Sequence, residues 1–168
     1  MNHRILPTIL AAGLALTSLV SAADVTVFYP NEDKPVFTVT APDDWEFAAG
    51  SDDNPYCTLT KGETVLYFKT VEGTEEKFGE AIEETYEYVK ETYPGAELPQ
   101  PNETKIDGKD ALAAAGSGKD KDGVLTNFGF AWVAANPSEI AELWYESSDT
   151  DEKVAAEAIA ILSSFKAK

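Results

Sequence analysis

The sequence predicts an α+β domain: a central, mostly antiparallel sheet of about seven or eight strands with helices packed on it. Three observations point there. Runs of β-branched and aromatic residues, separated by Gly, Pro and Asp turn signals, fill most of the chain. Two stretches, 75–93 and 150–166, carry the three- and four-residue spacing of an amphipathic helix. Thr64–Val71 is apolar on both of its faces, Val65, Tyr67 and Val71 on one and Leu66 and Phe68 on the other, and such a strand needs cover on both sides. The 168 residues are of one-domain size.

Residues 1–22 stand outside that fold. Arg4 gives a positive start, 5–20 is an apolar run, and Val20-Ser21-Ala22 offers small residues where a signal peptidase cuts. The run is shorter than the ~20 residues of a membrane span and is broken by Thr17 and Ser18. The expectation is a signal peptide at 1–22 and one domain at 23–168, exported to the periplasm or secreted. No Cys stands at the cut, so no bacterial lipid anchor is expected, and no membrane association after cleavage.

Val25–Tyr29 alternates as a first strand, and 30–35 is a turn. Val36–Thr40 is the second strand. Pro42-Asp43-Asp44 turns into a third, short one at Trp45–Phe47. A polar loop, 50–55, precedes strands at Tyr56–Thr60 and Thr64–Val71, joined at Lys61-Gly62. In the helix 75–93, Phe78, Ala81, Ile82, Tyr86, Val89 and Tyr93 form the apolar stripe. Thr74 is its N-cap, Glu75 and Glu76 suit the positive end of its dipole, and Pro94-Gly95 stops it. Tyr88 lies off the stripe and is expected at the surface.

Asp107-Gly108 marks a hairpin between 103–106 and 110–117. Propensity alone would make Ala111–Ala115 helical, but the hairpin and flanking glycines place it in a strand, with small side chains that let a helix pack close. Asp122-Gly123 is a second hairpin turn. In 124–134, Phe128, Phe130 and Trp132 share one face and Asn127, Gly129 and Ala131 the other. Pro137 ends that strand, and Ile140–Ser147 is the next. The last helix, 150–166, opens on a capping box of Asp149 and Glu152 and buries Val154, Ala158, Ile161, Leu162 and Phe165.

Two segments carry a resemblance. Phe37–Trp45 is a strand running into a Pro and a Trp, and Ile140–Tyr145 is a strand followed by a helix closing with Ile161–Lys166. The order of elements resembles the family that includes the photosystem II protein PsbP, the Ran-binding protein Mog1 and the bacterial periplasmic protein DcrB. The resemblance implies an antiparallel sheet between helices and a non-enzymatic accessory or binding role. It carries over no functional residue, because its motifs are packing motifs.

Thirty acids against thirteen bases give a net charge of −17, which disfavours nucleic acid and anionic membranes. His3 and Arg4 are the only His and Arg. Cleavage would remove both, and with them imidazole catalysis, His-ligated metal and guanidinium clamps for phosphate. No cofactor is implied. Cys57, the single Cys, lies in a strand and reads as a buried, inert thiol. Gly116-Ser117-Gly118-Lys119 is too short for a phosphate loop. Ser163–Lys166 matches Ser-x-x-Lys but closes a helix instead of opening one, so Ser163 and Ser164 read as a solvated helix end.

The reading is an exported, non-catalytic accessory or binding protein with an unknown protein or small-molecule partner. The alternatives are a two-carboxylate hydrolase of extracellular glycans and a calcium-binding protein. The binding candidates are Trp45 with Asp43 and Asp44, where an aromatic beside acids would hold a sugar, and Tyr88. The candidate calcium loops are 31–33, 51–54 and 120–123, although none has the spacing of an EF-hand, Lys121 sits within the last, and a solvated polar loop is the favoured reading of each.

Overall fold

The computed structural model describes residues 23–51 and 54–168. The leader, Asp52 and Asp53 lie outside it. Ten strands and two helices run in the order β1 (Asp24–Tyr29), β2 (Phe37–Pro42), β3 (Glu46–Ala48), β4 (Cys57–Lys61), β5 (Thr64–Glu72), α1 (Glu75–Thr92), β6 (Asn102–Ile106), β7 (Lys109–Lys119), β8 (Leu125–Asn136), β9 (Glu139–Ser147), α2 (Glu152–Ser163) and β10 (Lys166–Ala167). Seven strands form the central antiparallel sheet, in the order β3-β4-β5-β9-β8-β7-β6. The other three form a small sheet, β1-β2-β10.

The alternation of each strand sorts the sheet into two cores. The face with Leu59, Leu66, Phe68, Val133, Ala141 and Leu143 meets α2 and the small sheet. The face with Phe128, Phe130, Trp132 and Trp144 meets α1 through Val89 and Tyr93. Strand β9 lies between β5 and β8 and is covered on both faces. The doubly apolar β5 and the aromatic face of β8 are as the sequence predicts.

Phe37 joins the two sheets. Its ring stacks on Tyr29 at 4.9 Å, lies 5.1 Å from Phe165 and reaches Phe68 at 6.3 Å. Ser164 completes the closure: its hydroxyl accepts from Thr40 N at 2.7 Å and donates to Ile161 O at 2.6 Å. Ser164 is thus a structural tie, not the solvated end the sequence suggests. It also explains why α2 stops at Ser163 and the tail becomes a strand. At the other end of α2, Asp151 is the N-cap, accepting from Lys153 N at 2.8 Å, while Asp149 accepts from Asp151 N at 2.9 Å. The expected box on Asp149 is therefore displaced by two residues.

Thr74 caps α1 as expected, accepting from Lys77 N. Asp107 and Gly108 both have positive φ, the requirement of the tight hairpin turn. Helix α2 lies chiefly over β2, β5 and β9, with Ala111 of β7 in the same core. The close approach is made by the chain leaving α1. A methyl at Gly118 would come within 2.6 Å of Ala96 Cβ and 2.7 Å of Tyr93 Cβ.

Phe165, fully buried beside Phe37, is expected to cost about 3–5 kcal/mol on change to Ala. Urea denaturation would show this as a lower midpoint at unchanged slope. Buried Cys57 should resist a thiol reagent until urea unfolds the chain.

Candidate functional site

The cross-strand register under α1 aligns Leu112, Trp132, Glu142 and Lys69 in one row. The next row is Phe130, Trp144 and Tyr67, and the one after is Phe128, Glu146 and Val65. The α1 face of β9 therefore reads Glu142, Trp144, Glu146, placing two carboxylates on the covered face of an inner strand.

The two glutamates are held differently. Glu146 accepts from the Tyr93 hydroxyl at 2.8 Å, and the Tyr88 and Tyr67 hydroxyls also favour its charged form. The Trp144 indole leans on the same carboxylate without meeting it in hydrogen-bond geometry. Glu142 is only 1% exposed. Its Oε1 accepts from the Tyr56 hydroxyl at 3.1 Å. Its Oε2 has Lys69 Nζ at 3.4 Å, close enough for an ion pair but not placed for a hydrogen bond. The same ammonium lies 3.9 Å from Glu84 and 4.8 Å above the Tyr56 ring.

Burial raises both carboxyls above their ordinary 4.5, opposed at Glu142 by Lys69 and Tyr56, and at Glu146 chiefly by Tyr93. Burial, reinforced by the adjacent glutamates, raises the Tyr56, Tyr88 and Tyr93 hydroxyls. Among the described residues three buried polar side-chain atoms lack a hydrogen-bond partner: Trp132 Nε1, Glu142 Oε2 and Trp144 Nε1. All three belong to this patch, since Trp132 faces Glu142 across the ladder and Trp144 is two residues along from it. Beside it, Tyr56, Lys69, Glu84, Tyr88, Glu142 and Trp144 line a cavity of about 240 Å³.

Of the candidates read from the sequence, only Tyr88 lies here. It is half-buried, not at the surface, and packs edge-on to Trp144 at 4.5 Å. The helix buries a wider arc than the stripe suggests, because the twisted sheet meets Ala81, Thr85, Tyr88 and Val89 together. Trp45 is 6% exposed, and its indole donates to Glu157 at 3.2 Å. Lys61 links that carboxylate at 2.6 Å to Asp44 at 2.7 Å. Trp45 and Asp44 thus clasp the turn after β2 to β4 and α2. Asp43 is exposed, while the Trp45 ring beside it is buried in the core.

In the loop 120–123, Asp120 is committed to the backbone, accepting from Asp122 N and Val124 N at 2.9 Å each. Asn31 and Ser51 accept from Lys34 N and Asn54 N. No three metal-ligating side chains converge among the described residues.

No family model and no curated protein matches the chain. Solved structures do. Cyanobacterial PsbP (CyanoP) from Synechocystis sp. aligns at a TM-score of 0.62 and 16% identity, over 97% of this chain and 99% of that one. LpqN, involved in cell envelope biogenesis of Mycobacterium tuberculosis, aligns at 0.55 and 15%, over 84% and 87%. The chain has the PsbP-like fold.

Glu142 and Glu146 bind protons more tightly in the folded chain than in the unfolded one. Lowering the pH toward 4.5 therefore stabilises the fold, and raising it removes that stability. Asp44 and Glu157, held low chiefly by Lys61, act oppositely as their carboxyls protonate at still lower pH. The melting midpoint should rise from pH 8 to about pH 5 and fall below about pH 4. Glu142→Gln should raise the midpoint at pH 7 by about 2–4 °C and flatten that rise. Lys69→Met should lower it at pH 7, and by less as the pH falls and Glu142 takes up a proton.

Proposed function

We propose that this chain is an exported, non-catalytic accessory protein that binds a small ligand beneath α1. The observation that carries the reading is the gathering of unpartnered buried polar atoms around Glu142. Protein interiors pair such atoms, and a cluster of exceptions beside a cavity is the mark of a site built for something else to complete. The leader pattern supports export, and the fold shared with PsbP and the envelope protein LpqN supports an accessory role.

The site's chemistry weighs against the hydrolase alternative. Glu84 and Glu142 both line the cavity, but Lys69 Nζ lies within ion-pair reach of each. A two-carboxylate glycosidase keeps the space between its acids for the glycosidic oxygen or for water. Residues 23–168 contain no imidazole to serve as an alternative base.

Native protein from an envelope fraction should have the intact mass of residues 23–168. A low-molecular-mass extract of the same fraction should raise its melting midpoint, by roughly 5–11 °C for a ligand at a hundred times its Kd. Glu142→Gln should lose that shift. Hydrolysis of chromogenic glycosides, abolished by Glu84→Gln, would overturn the non-catalytic reading.

A further inference from the structure

We infer that the ligand of this site is a single sugar ring or similar polyol, bound through adjacent hydroxyls to Lys69 and Glu142. The inference rests on the binding role proposed above and names its ligand class. Charge is the first constraint. Glu142, Glu146 and the rim carboxylate of Glu84 oppose an anion. The position an organic cation would take, between the acids and over an aromatic ring, is already held by Lys69. A neutral ligand remains.

The hydrogen-bonding inventory is the second. The Lys69 ammonium carries three donors and meets no acceptor in hydrogen-bond geometry; its nearest carboxylate oxygens are the 3.4 Å and 3.9 Å contacts. Beside it Glu142 Oε2, whose nearest partner is that ammonium at 3.4 Å, is the acceptor. A partner for this set needs several acceptors and at least one donor close together. Neighbouring hydroxyls supply both, since each accepts and donates. An amide or a simple alcohol leaves most of the set unpaired.

Shape is the third. Tyr56, Tyr88 and Trp144 line the cavity with aromatic surface beside the polar groups. The cavity of about 240 Å³ equals roughly eight waters at ~30 Å³ each, space for one ring and not for a chain of them. Glu142 Oε2 is enclosed in the present arrangement. Admission requires Lys69 to swing toward Glu84, its exposed second partner.

The test is ligand-observed saturation-transfer NMR on the full protein. The probes are glucose, galactose, mannose and N-acetylglucosamine at millimolar concentration, with propylamine and tetramethylammonium as the cationic arm. At least one sugar should receive saturation, and Glu142→Gln and Lys69→Met should each weaken it at least tenfold while circular dichroism shows both folded. Maltose or chitobiose binding more tightly than its monomer points to a glycan terminus, and equal or weaker binding to a free sugar; both support the class. Sugar binding unchanged in both variants overturns the site. Cations binding where sugars do not, with loss in Glu142→Gln, overturns the sugar class and leaves the binding role standing. Silence from every probe, with no midpoint shift in the envelope extract, overturns both.

Discussion

The structure turns on the desolvation of β9. This strand pairs with β5 and β8 and carries a core on each face, so none of its side chains is left fully exposed. Toward α2 it presents Ala141 and Leu143, and burial is favourable. Toward α1 it presents Glu142, Trp144 and Glu146, where burial opposes each charge and demands partners. The tyrosines of β5, α1 and the segment before β4 supply them, with Lys69 as the nearby cation. Glu146 is well met by Tyr93; Glu142 is met on one oxygen. Between Ala141 and Glu146 the α1 side of β9 accordingly carries two carboxylates and the α2 side none.

The two faces also close differently. The α2 face is sealed by the chain's end, with Phe165 against Phe37, Ser164 on Thr40, and Lys168 N donating to Val36 O at 2.9 Å. The clasp of Lys61, Asp44, Glu157 and Trp45 fastens the same side. These groups resemble a binding constellation in sequence, with acids flanking an aromatic, but their hydrogen bonds are spent within the fold. The α1 face has the reverse character: its residues look like ordinary core in sequence, yet their polar atoms are left open.

The fold was legible because its signals are local. Alternation in β5 and β8, the Thr74 cap and the Asp107-Gly108 turn each act within a few residues. The small sheet was not, since β10 has two residues and exists only through pairing with β2. The site was hidden for the same kind of reason. The pattern Glu142, Trp144, Glu146 was visible as one strand face, but an acid on an edge strand is unremarked and the same acid on an inner strand is a buried charge. Only the order of strands decides between them, and that order is set by contacts distant in sequence. Tyr88 was found for the wrong reason, as a surface aromatic.

The moorings of α1 bear on how the space beneath it is reached. Before the helix, Gly73 N donates to Ser138 O at 2.8 Å; after it, Tyr93 is fixed by Glu146 and by the close approach at Gly118. Held at both ends, the helix does not rise as a lid. On the binding role proposed above, a ligand would enter past side chains at the rim, such as the exposed Glu84, without displacing the helix.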